Sequence, residues 1–133
     1  MAVATALNEK AKRIIETKAF AHVATINKDG SPQVSPVWVE HDGTHVIINS
    51  EQKRLKVRNL KRDPRVAVAI QNPDNAYEYV EIRGRVVEIT PEGGFEGIDH
   101  LGKKYMGVDK YPGNKPGDVR VVIKIEPTHI TGM

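Results

Sequence analysis

Cysteine is absent from the 133 residues, which excludes disulfides, thiolate metal sites and cysteine nucleophiles. Aromatic residues are scarce, with one Trp, four Tyr and two Phe. They are not interleaved with the basic stretch described below, which argues against a stacking platform for nucleic acid. No stretch approaches the ~20 apolar residues of a membrane span. The segment from Met1 to Ala11 lacks the apolar run behind a basic start that marks a signal peptide. A cytoplasmic protein is expected, with neither membrane nor nucleic acid among its partners.

Several catalytic signatures are missing as well. No G-x-G-x-x-G follows a strand, no phosphate loop ends in Lys-Ser or Lys-Thr, and no G-x-S-x-G elbow occurs. Rossmann binding of nicotinamide, P-loop chemistry and serine hydrolysis therefore have no support. The five histidines are scattered, and His41 and His45 flank an Asp42-Gly43 turn instead of sharing a helix face. No metal site and no catalytic side chain is assigned.

What remains is a chain of ordinary globular composition, 39% apolar and 28% charged, long enough for one domain over residues 1–133. Leu7, Ala11, Ile14 and Ile15 recur at helical spacing, which predicts a helix over 4–18. A β-rich stretch follows. Strands are predicted over 20–26, 33–40 and 45–49, joined by turns at Asn27-Lys28-Asp29-Gly30 and His41-Asp42-Gly43-Thr44. Pro32 and Pro36 cannot donate to a ladder, so the second strand should be an edge or be bulged. Ser50 is read as the cap of a helix running to Arg62, stopped by Asp63-Pro64. Strands over 66–70 and 77–89 come next, the latter bent at Gly84. A short helix over 92–105 is weakened by Gly93 and Gly94. The loop 107–117, a last strand over 120–125 and an added edge over 128–131 complete the chain. This order lacks repeated βαβ units and fits an antiparallel barrel with peripheral helices.

The formal net charge is +3, and six Lys or Arg fall within ten residues: Lys53, Arg54, Lys56, Arg58, Lys61 and Arg62. On a helix, Lys53 and Lys56 share a side with Val57 and Leu60, while Arg54, Arg58, Lys61 and Arg62 share another. Cations at the positive end of a helix dipole are mildly unfavourable, and a bound anion there reverses the penalty. A solvated face with snorkelling lysines is the alternative. Tyr77 and Tyr79, two apart on a strand, face one side and suit a planar ring, an apolar surface or a dimer contact.

The order of segments now carries a resemblance. Val23 to Ile26 followed by Asn27 to Trp38 resembles the opening hairpin of the pyridoxamine-phosphate-oxidase-like superfamily. Arg54 to Leu60 and then Asp63 to Val66 look like its phosphate-binding helix and next strand. Arg120 to Gly132 is similar to the closing strand of the branch that uses the deazaflavin coenzyme F420. The resemblance runs from about residue 7 to 132. It implies a mainly β, antiparallel split β-barrel of the FMN-binding type, forming a homodimer with two cofactor sites at the interface. By that analogy Arg54 and Lys56 hold the cofactor phosphate and Arg120 makes a further charged contact. Gln33, Ser35, Asn49 and Ser50 line the cleft, and Tyr77 and Tyr79 of the second subunit close over the cofactor. The implied activity is hydride transfer from reduced F420 to a conjugated or heteroaromatic small molecule. Relatives that use flavin mononucleotide (FMN) draw on the same residue types, so FMN is the alternative cofactor. A non-catalytic F420 carrier is the alternative role.

Overall fold

The computed structural model describes residues 3–132. Its elements are α1 (Glu9–Ile15), β1 (Ala21–Ile26), β2 (Pro32–Val37), β3 (Glu40–His41), β4 (Val46–Glu51), α2 (Leu55–Arg62), β5 (Arg65–Gln71), β6 (Tyr79–Thr90), α3 (Gly94–Met106) and β7 (Arg120–Gly132). The strands form one antiparallel seven-stranded sheet in the order β2-β1-β5-β6-β7-β4-β3, curled into a half-barrel with the three helices around it. This is the mainly β split-barrel architecture expected from the sequence. No helix among the described residues is long and apolar enough to cross a membrane.

The concave side of the sheet is filled by branched side chains at alternate strand positions: Val23, Ile48, Val68, Ile70, Ile82, Ile123 and Ile125, with Ile14 and Ile15 of α1 against them. Each fully buried side chain of this kind contributes about 1.5–3 kcal/mol. The opposite face of β2, β1 and β5 carries Val34, Ala24, Ala67 and Ala69, and Val34 is 64% exposed.

Several predicted boundaries move, each for a local reason. The first helix covers only Glu9–Ile15, because the Asn8 side chain caps it by accepting from the Ala11 N–H at 2.8 Å. The segment 33–40 divides into edge strand β2 and the two-residue β3, the opposite edge of the sheet. Ser50 caps nothing. It lies inside β4 opposite Val121, and the following turn delays α2 to Leu55, with Arg54 as its N-cap and no side-chain cap. Lys53 and Arg54 therefore precede the helix on which the sequence placed them.

Tyr77 does not share a strand with Tyr79. A second tight turn, with the Glu78 N–H donating to the Asn75 carbonyl at 3.0 Å, leaves Tyr77 in the β5–β6 connection, 82% exposed. α3 is thirteen residues long despite its glycines. The C-terminal strand is continuous from Arg120 to Gly132. Pro127 fits within it because β4 pairs only with residues 120–125, so its missing N–H removes no bond on that side.

The bend expected at Gly84 is present, with a register shift between Arg83 and Gly84. There β6 and β7 approach so closely that a Cβ on Gly84 would run into the Glu126 carbonyl and sit 3.2 Å from Pro127 Cα. A Gly84→Ala variant should therefore lose about 2 kcal/mol of stability or more, read from urea denaturation.

α1 is moored to the β5–β6 connection by Arg13, whose guanidinium grips the Glu78 carboxylate at 2.9 and 3.0 Å. Together with the Asn72 amide, it holds Glu78 down to about 2, below its usual 4.5. A lowered carboxyl pKa means that the stabilisation is complete above the unfolded value and disappears as pH falls through the folded one. The stability difference between the native chain and Arg13→Gln, followed by thermal unfolding, should be largest above pH 5 and vanish near pH 2.

Candidate functional site

β4 and β7 pair with Asn49 opposite Val122, Ser50 opposite Val121 and Glu51 opposite Arg120. This register brings three polar residues at the end of β4 beside the first residue of β7. α2 starts four residues after β4 ends, so Arg54 and Lys56 stand over the same spot. From the far side, β2 contributes Ser35. These seven residues, with Phe20, Trp38, Ile98, Leu101 and Tyr111 among the others, line an open cleft of about 320 Å³.

The cationic end is held from behind. Asn49 is buried, and its amide nitrogen donates to the Gly94 carbonyl at 2.8 Å. Its oxygen accepts from Arg120 Nε at 3.0 Å. The Arg120 guanidinium lies 5.3 Å from the Tyr111 ring centroid, a cation–π contact. α3 presses onto this pair, since a Cβ on Gly94 would be 2.6 Å from the Arg120 carbonyl carbon. Gly94, which weakens the helix in the sequence, is thus what allows α3 to dock. Among the described residues, Arg54, Lys56 and Arg120 form no ion pair. The nearby carboxylate, Glu51, is occupied by the backbone N–H groups of Lys53 at 2.8 Å and Val119 at 3.0 Å. Those donors hold its pKa below the usual range.

Crowded like charges leave a signature. Burial, followed by the charges of Arg54 and Arg120, pushes the Lys56 ammonium below its ordinary value. Burial also lowers Arg120. The first turn of α2 contains no acidic residue to compensate. Ser35 Oγ, on the facing strand, is buried without a hydrogen-bond partner. Buried polar atoms are nearly always satisfied, so an orphaned hydroxyl facing a cluster of uncompensated cations marks a place made for an acceptor-rich anion.

The other end of the cleft is aromatic. Trp38 stacks on Tyr105 with centroids 5.0 Å apart and planes 4° from parallel, and meets Tyr111 edge-on at 5.6 Å. The Tyr105 hydroxyl is fixed by donating to the Ala19 carbonyl at 2.5 Å and accepting from the Val39 N–H at 3.1 Å. Trp38 is therefore a rigid wall beside the cationic grip.

Of the residues singled out in the sequence, Ser35, Asn49, Ser50, Arg54, Lys56 and Arg120 converge on this cleft. Gln33 does not line it. Its side-chain oxygen is taken up by the Thr25 hydroxyl at 2.6 Å. Tyr77 and Tyr79 sit at the β5–β6 end, outside the cleft of their own chain. The aromatic wall escaped sequence reasoning. Trp38 lies one residue beyond the alternation of β2, and Tyr111 belongs to a loop anchored by its N–H to Asp99 Oδ1 at 2.8 Å, a contact no local pattern announces. The spacing of Ile98 and Leu101 was the one available signal for a helix covering the cleft.

Comparison with known proteins agrees with this geometry. The sequence model of the pyridoxamine 5'-phosphate oxidase family matches residues 7–133. The chain belongs to that family, and so to a group of flavin-type oxidoreductases. Among solved structures it is similar to an F420 reductase, with 34% identity, a TM-score of 0.81 and coverage of 94% of this chain and 98% of that one. A conserved hypothetical protein from Mycobacterium tuberculosis superposes with a TM-score of 0.72 at 21% identity, covering 96% and 84% of the two chains. General Stress Protein 26 from Bacillus anthracis gives 0.68 at 20% identity, with 92% and 89% coverage. The last two share the fold.

The lowered Lys56 pKa has a direct consequence. An anion bound beside Lys56 favours its charged form, so affinity is full while the free chain is protonated and falls as pH rises through the free-chain pKa. Because that pKa is lowered, the decline should begin below the ordinary lysine value of about 10.4, by up to about tenfold per pH unit. Fluorescence titration with an anionic cofactor across pH 7–10 reads it, and Lys56→Arg should remove the alkaline decline.

Proposed function

We propose that this chain is an oxidoreductase that binds coenzyme F420 with its phosphate between Arg54, Lys56 and Arg120. The observation that carries the reading is the unpaired cation cluster facing the orphaned Ser35 hydroxyl within one cleft. The likeness to an F420 reductase along nearly the whole length of both chains supports the choice of cofactor. When bound, reduced F420 supplies a hydride to a conjugated or heteroaromatic acceptor.

The side chains have complementary tasks. Arg54 and Lys56 neutralise the phosphate, and the first turn of α2 directs its free backbone N–H groups toward it. Ser35 donates the hydrogen bond it otherwise lacks. Asn49 holds the Arg120 guanidinium by Nε, which leaves the two terminal nitrogens for the ligand. Trp38, backed by Tyr105, offers a flat apolar wall for a ring system. Glu51, the carboxylate at the cleft, is tied to backbone donors, so the chain relies on the cofactor for the chemistry and supplies binding and orientation. The further basic residues Lys53, Arg58, Lys61 and Arg62 suit a poly-glutamate tail.

The working unit in this reading is a homodimer. The outer face of β2, β1 and β5 is free of helices, and a shallow apolar depression of about 340 Å³ lined by Ala24, Ile26, Pro32, Val66 and Ala67 lies on it. In this reading the exposed Tyr77 and Tyr79 of one subunit close over the cleft of the other.

The test is titration of the purified chain with F420 and, separately, with FMN. Saturable binding of F420 is expected, weakened at least about a hundredfold in Arg54→Ala/Lys56→Ala, since each lost charge-assisted hydrogen bond is worth about 1.5–3 kcal/mol. Unaltered affinity in that double variant, or tight binding of FMN with none of F420, would overturn the assignment.

A further inference from the structure

α2 carries the phosphate grip, yet its own seating includes an unusual residue. Asn59 occupies the middle of this eight-residue helix and is 1% exposed. Asparagine is a poor interior helix former, and its amide is costly to bury unless every polar atom is used. Here all are used. One Nδ2 hydrogen goes to Thr25 Oγ1 at 3.0 Å and the other to Asn27 Oδ1 at 2.9 Å. Oδ1 accepts from Arg62 Nη2 at 2.9 Å, which also donates to the Ile26 carbonyl at 2.7 Å. A leucine would suit the helix and the adjacent core better, so burial alone does not account for the residue.

The network continues across the sheet. The Thr25 hydroxyl, having accepted from Asn59, donates to Gln33 Oε1 at 2.6 Å. Gln33 is on β2, an edge strand held only by β1 and containing Pro32 and Pro36, which cannot donate to the ladder. Two residues along, on the same face of β2, is Ser35. The chain Asn59–Thr25–Gln33 thus runs from the helix that presents Arg54 and Lys56, through β1, to the strand that presents the facing hydroxyl. It joins the two walls of the cleft.

We infer that Asn59 and Thr25 are positioning residues that set the distance and angle between the cationic and hydroxyl walls of the anion site, with Gln33 as the terminal link rather than a ligand. The inference rests on the proposed binding of a cofactor phosphate at that site. Apolar burial of Val57 and Leu60 keeps α2 on the sheet, but the hydrophobic effect is non-directional and by itself fixes the angle of the helix less sharply than a hydrogen bond. The hydrogen-bonded chain has one register, and a fully satisfied buried network confers that specificity.

The experiment compares Asn59→Leu, Thr25→Val and Thr25→Ser with the native chain and Arg54→Ala/Lys56→Ala, all as full-length protein, titrated with F420 at several salt concentrations. Asn59→Leu and Thr25→Val should each weaken binding by about tenfold, as outer partners of a charged site do. They should also flatten the dependence of affinity on salt, because the cations no longer meet the phosphate together. Thr25→Ser retains the hydroxyl relay and should restore both affinity and slope. Should Asn59→Leu fail to fold, the Thr25 pair decides alone. Native affinity and slope in Thr25→Val, or weakening that leaves the slope unchanged and is not rescued by serine, overturns the inference. If the double cation variant loses binding in the same series, the phosphate reading survives that failure. If it binds like the native chain, both fall.

Discussion

The antiparallel pairing of β4 with β7 is the constraint on which both core and cleft depend. From Val46 opposite Ile125 to Glu51 opposite Arg120, one register buries Ile48, Ile123 and Ile125 and sets Asn49 within reach of Arg120. A slip of one residue would turn every inward side chain outward, so the core enforces the register far more strongly than the polar contacts could. The arrangement of charges at the mouth is inherited from hydrophobic packing below it. α3 adds the second layer, pressing Gly94 against Arg120 while Ile98 and Leu101 line the cleft.

That packing holds together groups that repel. Arg54, Lys56 and Arg120 meet where Glu51 is already occupied by backbone donors; burial lowers Lys56 and Arg120, and the neighbouring cations lower Lys56 further. Several arginines elsewhere are paired on the surface: Arg13 with Glu78, Arg65 with Asp63, Arg85 with Glu126. What distinguishes Arg54, Lys56 and Arg120 is that all three line one cleft. Such local strain is tolerable because the surrounding sheet is well filled, and it is relieved when a negative ligand arrives.

Much of this was legible in the residues. Alternating branched side chains announced the strands, Gly30 and Gly43 their turns, and Gly84 the bend, because each reflects a local backbone requirement. The basic run pointed to the cationic cleft for the same reason, being contiguous in the chain. What stayed hidden depended on distant contacts. Ser50 has the chemistry of a helix cap, but pairing with Val121 claims it for the sheet. Gly93 and Gly94 argued against α3 on propensity, while the close approach to β7 requires Gly94 and the left-handed N-cap favours Gly93. The family resemblance set Gln33 along the cleft, and its engagement by Thr25 is visible only once β1 and β2 are in register. The tyrosines at 77 and 79 alternate on paper, but the Asn75 turn interrupts the strand between them.

The sole indole of the chain stands against Tyr105 at the rim of the cleft. Emission excited at the red edge of the aromatic band, where tyrosine scarcely absorbs, therefore originates at one known address, with no second tryptophan to blur it. The molecule comes with its own internal lamp, lit where a guest ring would settle.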